Sequence, residues 1–389
     1  MKASRFKVSV AIWDILVLLL VPITLYFMVR NVPFGVDFKI HNFFLEEYLQ
    51  KGHFPIPPGY YLLIYLLDLL ISYKYPFLIS SLLILTGFIW WKYHLIEKYL
   101  GKLDVHPVSS DKKWALLVFF LGPLVLPFHA EGYWYLGKFT SSLWHNSTLL
   151  ASLPFSLVLF WKTLEWWRKP TNQWPWSCFG LALLILLIKP SFLFCYLPLF
   201  PIFTWIREKT FSSKVAQSVL VSGVLLLLLW AEKQLIYAWD PMIVEEYAIA
   251  DQPQILIRPF KIWFHYSANP VWDFISSFAL SILFLSFWGR SALKSVAFSF
   301  SLGLLLLALL IFFLLAESGF REWHANFYWQ IPIALLIHQL VMVRILREKM
   351  SVEPLKTNPK ILVFLVLFSW HVLSGMAYWI RIFVEKTIS

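Results

Sequence analysis

Four polar clusters interrupt a chain that is otherwise largely apolar, and their residue types bring acid, base and phosphate-binding groups together. The first is Asp37-Phe-Lys-Ile-His41, where a carboxylate and an imidazole stand four residues apart and would share one face of a helix. A carboxylate there can take a proton from a hydroxyl or ligate a divalent cation, and the imidazole can share either role. The alternative is an amphipathic segment that caps a bundle. The second cluster runs from His129-Ala-Glu131 through Lys138 to Trp144-His145-Asn146-Ser-Thr148, combining acid, base and phosphate-binding groups. A helix cap explains only one residue of that set. The third is Lys189, within Ile188-Lys189-Pro190-Ser191 between two apolar runs. A charge placed in hydrocarbon costs about 3 kcal/mol unless it is paired or reaches the headgroups. The fourth is Glu317-Ser-Gly-Phe-Arg321-Glu322-Trp-His324-Ala-Asn326. There the planar fork of Arg321 can take a phosphate, or can pair with Glu322 as a clamp. Glu245, Glu246, Asp251, Arg258, Lys261 and His265 read as the ordinary charge of a solvated loop over 232–269. Asp14, Asp273, His338 and His371 fall inside apolar runs and could relay protons, but at unmatched depths.

The elements that must position these residues are membrane helices. Of 389 residues, 59 % are hydrophobic and 14 % charged, which excludes an ordinary soluble core. Apolar runs give spans near 8–29, 76–93, 113–128, 147–162, 174–189, 191–206, 214–231, 270–288, 295–316, 327–343 and 361–380. The run 58–72, which follows Pro55-Ile-Pro-Pro58, reads as a helix lying on the membrane. With the N-terminus cytoplasmic, that choice puts most of the 33 Lys and Arg into short cytoplasmic loops, as orientation rules require; a crossing 58–72 with the N-terminus outside displaces only Lys2, Arg5 and Lys7 and is the alternative. The net charge of +11 is then a signature of topology, and nucleic-acid binding is excluded. The outer face carries loops 30–75, 129–146, 232–269 and 317–326. Cys178 and Cys195 lie in apolar runs, so neither a disulfide framework nor a thiolate metal site is expected. Lys2, Arg5 and Lys7 precede an apolar run without a small-residue cleavage site, which reads as an uncleaved first helix. Residues 1–389 form a single membrane domain without internal repeats.

A first span, an outer loop opening on Asp37, an interfacial Pro-Pro-Gly-Tyr-Tyr-Leu-Leu segment and a second span ending in a basic loop resemble the membrane module of the GT-C superfamily. These are glycosyltransferases that use polyprenyl-phosphate-linked sugars. The resemblance covers residues 1–110 in layout. Tyr135 to Thr148, Lys189-Pro-Ser191 and Asn326-Phe-Tyr-Trp329 also resemble a group of uncharacterised bacterial polytopic membrane proteins with a Trp-His-Asn-x-Thr-like motif. The GT-C resemblance implies an all-α bundle of about eleven spans plus the interfacial helix, in a bacterial inner membrane. It implies Asp37 as base or metal ligand, with Mg or Mn as the cation if one is used. His41, Glu131 and His145 are the further catalytic candidates. Lys138, Asn146, Lys189, Arg321, His324 and Asn326 would hold the lipid-linked donor, and membrane lipids and that donor are the expected partners. No Asp-x-Asp pair follows the first span, since Asp37 is followed by Phe38 and Lys39. A transporter or lipid flippase, and a non-catalytic subunit of a larger assembly, are the rival expectations.

Overall fold

The computed structural model describes residues 2–33, 35–71, 73–101, 110–126, 135–169, 173–240, 242–244, 254–352 and 358–387. Helix dominates them. In chain order the helices are α1 (Lys2–Asn31), α2 (Asp37–Gln50), α3 (Gly59–Asp68), α4 (Leu78–Gly101), α5 (Ser110–Phe119), α6 (Ser147–Arg168) and α7 (Trp176–Ile188). They continue as α8 (Ser191–Glu208), α9 (Ser213–Gln234), α10 (Lys261–Tyr266), α11 (Pro270–Ala292), α12 (Val296–Leu314), α13 (Gln330–Val352) and α14 (Pro359–Val384). Among the described residues, eight helices are long and apolar enough to cross a membrane: α1, α4, α6, α9, α11, α12, α13 and α14. α7 is apolar but only 13 residues long, and α8 carries Pro198 and Pro201 in its interior.

The run 58–72 forms the ten-residue α3, about 15 Å of helix, half of what a hydrocarbon layer of about 30 Å demands. α2 and α3 both pack at the end of the bundle where α1 finishes and α4 begins. Asn42 of α2 donates to Ser81 Oγ at 3.0 Å, while Asp68 at the end of α3 accepts from Ser80 Oγ at 2.6 Å and from the Phe77 amide at 3.2 Å. α2 turns Phe38, Asn42, Leu45 and Tyr48 inward, the three- and four-residue spacing of one buried stripe. α3 starts against the end of α7. A Cβ on Gly59 would lie 2.7 Å from the Leu187 carbonyl oxygen, so only glycine permits that approach.

The expected span 113–128 is helical only as far as Phe119. Gly122-Pro123 cannot continue the helix, and the chain runs on through the bundle as an extended segment. Its backbone groups find partners on neighbouring helices, as buried non-helical backbone requires. The Gly122 amide donates to the His371 carbonyl at 3.2 Å, and His371 Nδ1 meets the Gly122 carbonyl at 2.7 Å. The Leu124 amide reaches the Ser276 carbonyl at 2.9 Å, and the Val125 amide reaches Ser374 Oγ at 3.0 Å. Residues 135–146 fold back beside this segment. Ser142 Oγ donates to the Phe119 carbonyl at 2.7 Å, and Ser141 Oγ donates to Gln339 Oε1 at 2.6 Å.

The four residues suggested as a proton relay serve separate local contacts. His371 holds the broken span, Asp273 accepts from Ser267 Oγ at 2.5 Å, His338 meets Ser301 Oγ at 3.1 Å, and Asp14 pairs with Lys112. Asp14 and Lys112, with Asp111 paired to Arg347, tie together the bundle end opposite α2 and α3. A short antiparallel ribbon, β1 (Ile255–Ile257) with β2 (Leu315–Glu317), ties the long segment after α9 to the end of α12.

Candidate functional site

Lys189 ends α7 and begins the turn into α8, so its backbone is fixed by two helices at once. Its ammonium donates to Asn146 Oδ1 at 3.3 Å and to Thr148 Oγ1 at 3.1 Å, and it lies 5.4 Å from the centre of the Trp329 ring. Asn146 caps α6 in the same stroke, accepting from the Leu149 amide at 3.0 Å. Burial pulls the Lys189 ammonium down to about 8, and the neighbouring Asp37 carboxylate partly restores it. Burial likewise raises Asp37 to about 6 against the opposing pull of Lys189. Two groups from segments far apart in sequence thus form one electrostatic pair.

Two imidazoles flank it. His41 stands one turn after Asp37 on α2, and its Nδ1 meets Tyr61 Oη at 2.5 Å. His145 is buried against the Tyr135 ring, 4.5 Å between centres. Burial, then the charge of Lys189, holds both imidazoles neutral, down to about 3. Tyr60 and Tyr61 of α3 complete this wall. Burial, and the nearby Asp37 carboxylate, push the Tyr61 phenol upward.

Beside them opens a cavity of about 1010 Å³. Its polar end is lined by His41, Tyr61 and Lys189 on one side and by Tyr237, Glu317, Arg321 and Asn326 on the other. Arg321 donates to Tyr237 Oη at 2.8 Å and places its guanidinium 5.3 Å from that ring. Tyr237 in turn donates to Glu317 at 3.3 Å, and Asn326 donates to the other Glu317 oxygen at 2.5 Å. Burial pushes the Glu317 carboxyl up. Tyr48 of α2 bridges towards this group by donating to Asp240 at 2.7 Å. Tyr237 is presented by a π-helical turn, Leu235–Trp239, that prolongs α9. The cavity continues between α9 and α12, past Leu226, Leu229, Trp230, Ile311 and Leu315. Leu226 and Trp230 are themselves 47 % and 62 % exposed on the outer surface of α9, so the apolar end reaches the lipid-facing side of the bundle.

Asp37, His41, His145, Asn146 and Lys189 are therefore brought together, and of these His41 and Lys189 line the cavity, with Arg321, His324 and Asn326. Lys138 is fully buried and does not line the cavity; its carbonyl accepts from Tyr328 Oη at 3.0 Å. Glu131, with Glu245, Glu246 and Asp251, lies outside the described residues. The alternative clamp between Arg321 and Glu322 does not form, because Glu322 pairs with Arg258 and with Lys261 at 2.7 Å. Sequence reasoning missed Tyr48, Tyr61, Glu232, Tyr237 and Asp240. The Tyr60-Tyr61 pair after Pro-Pro-Gly carried a signal, since two phenols at a helix start need partners if buried.

Among the described residues, the His and carboxylate groups that could hold a metal ion gather at Asp14, His94 and Glu97, not around Asp37. The positive charge of Lys189 already acts on Asp37, so its surroundings do not favour a divalent ion. No protein-family model, no curated protein and no solved structure matches this chain.

Proposed function

We propose that the protein is a membrane glycosyltransferase of GT-C-like arrangement, moving a sugar from a polyprenyl-phosphate donor to an acceptor hydroxyl on the non-cytoplasmic side of a bacterial inner membrane. The observation that carries this reading is Lys189, electrostatically coupled to Asp37, in the polar lining of a cavity whose far end opens among lipid-facing apolar side chains. A phosphate-binding cation lines the place an amphiphile's headgroup could take, and a proton acceptor lies near enough to feel its charge. The eleven expected crossings follow if α5 with its extended continuation, α7 and α8 join the eight long helices.

In this reading the acceptor oxygen attacks the sugar's anomeric carbon and forms the new glycosidic bond. The bond from that carbon to the phosphate oxygen breaks, and its electron pair stays on the lipid phosphate. The acceptor's proton passes to Asp37, whose raised proton affinity makes it a stronger base than an ordinary carboxylate. Lys189 and Arg321 stabilise the charge gathering on the phosphate. His41, held neutral, orients Tyr61 by hydrogen bonding, and His145, also neutral, packs against the Tyr135 ring; neither adds a competing positive charge. No step is routed through a metal.

The test is donor turnover by the full chain in nanodiscs containing a polyprenyl-phosphate hexose and a range of hydroxyl acceptors. Asp37→Asn should cut transfer roughly 100-fold or more, the usual scale for losing a general base, with donor binding retained. Donor consumption equal in wild type and Asp37→Asn, or absent in the wild type, would sink the reading.

A further inference from the structure

Glu232 is the anomaly of the cavity wall. On α9 the residues Ser218, Ser222, Leu225, Leu229 and Glu232 follow one another at spacings of four, three, four and three, the stripe a helix turns towards its neighbours. The pattern calls for an apolar or small side chain at 232. The carboxyl found there is 6 % exposed and lines the cavity, yet neither of its oxygens has a hydrogen-bond partner among the described residues. The other carboxyls of the wall are occupied. Asp240 accepts from Tyr48 at 2.7 Å and from the Met242 amide at 3.1 Å, and Glu317 accepts from Tyr237 and Asn326. A buried carboxyl without donors costs stability, and such a cost persists where a ligand supplies what the protein withholds.

We infer that Glu232 is a binding residue for the hydroxyl groups of a glycosyl headgroup, and that it makes the cavity prefer a glycosylated lipid phosphate over the bare lipid phosphate. The inference rests on the proposed function and adds a specificity determinant to it. Geometry favours hydroxyls as the occupant. Lys189 and Arg321 claim the anionic part of the ligand, Leu226, Leu229 and Ile311 its chain, and Glu232, a lining residue, holds two buried acceptor oxygens that no described donor fills. A bare phosphate brings Glu232 no array of donors, whereas a hexose brings several.

The experiment measures binding of two probes, a polyprenyl phosphate and the same lipid carrying a hexose, to the full chain in nanodiscs by native mass spectrometry. Wild type should hold the glycosylated lipid at least tenfold more tightly than the bare one. Glu232→Leu should abolish that preference and leave affinity for the bare lipid phosphate unchanged, whereas Lys189→Ala should weaken both probes alike. Ligand-free Glu232→Leu should melt no lower than wild type, since it removes a carboxyl that none of the described residues satisfies. Should the leucine variant fail to fold, the isosteric Glu232→Gln carries the test through a reduced preference. Retention of the tenfold preference in these variants overturns the role of Glu232 and leaves the glycosyltransferase reading standing. Failure of the wild type to bind either lipid overturns both.

Discussion

At the scale of single residues, the site is governed by two groups whose proton affinities have been moved towards each other. Asp37 loses its proton near pH 6 and Lys189 loses its own near pH 8, each displaced by burial and partly restored by the other. Base and cation are therefore both in their working forms only between those values. The transfer rate should rise as pH passes upward through about 6 and fall beyond about 8, a bell whose acid limb vanishes in Asp37→Asn. The two imidazoles contribute no limb near 6.5, being held neutral down to about 3. The same displacement sets a stability trend. The folded protein keeps the Asp37 proton to about pH 6 while the unfolded chain releases it near 3.8, so the aspartate loses stability as pH rises across that window. Asp37→Asn should accordingly melt above wild type at pH 7, and the difference should close below pH 4; scanning calorimetry of the ligand-free protein reads both. Asn146→Ala removes the cap of α6 together with an acceptor for Lys189, and should cost about 1 kcal/mol. Asp37, His41 and Lys189 were legible in the sequence because helical spacing and a charge between apolar runs are local signals. Tyr48, Tyr61 and Glu232 were not. Tyrosines crowd any membrane interface, and Glu232 reads as the start of a loop unless the π-helical turn that carries α9 past it is known.

At the scale of elements, length separated what the sequence could say from what it could not. The 113–128 run is long enough to suggest a span, but hydropathy does not report that Gly122-Pro123 ends the helix and hands its backbone to α11 and α14. That handover depends on close approach. A Cβ on Gly375 would stand 1.8 Å from the Phe120 carbonyl oxygen, and one on Gly122 would lie 2.9 Å from the Gly375 Cα. Gly375→Ala must push α14 off the extended segment and strand its amides, and a loss of about 3 kcal/mol is expected. Thermal unfolding in detergent checks it, with Gly87→Ala as a control, since nothing lies within 4 Å of a Cβ there. The partner of a broken span is set by tertiary contact, which no local pattern encodes. α3 was the opposite case. Its Pro-rich start and short apolar run were enough to expect a short helix there, and α3 is ten residues long.

At the scale of the whole molecule, all the clustered polar groups of the site gather at the bundle end that holds α2 and α3, while Asp14, Lys112, Asp111 and Arg347 secure the other. Single cysteines at His53 and at Lys360 should therefore react with an impermeant maleimide from opposite sides of a sealed vesicle. Labelling of both from the same side would separate the proposed active site from its expected compartment. The fold class was legible because apolar composition leaves a chain of this kind no other solvent, whereas a cavity formed by five separate segments was not. One feature of that cavity bears on rate. Because its apolar end lies against the exposed flank of α9 at Leu226 and Trp230, a lipid donor would approach by lateral diffusion within the leaflet. Turnover should then follow the mole fraction of donor in the bilayer, so that diluting the vesicles in buffer leaves it unchanged while diluting the donor with inert lipid slows it in proportion.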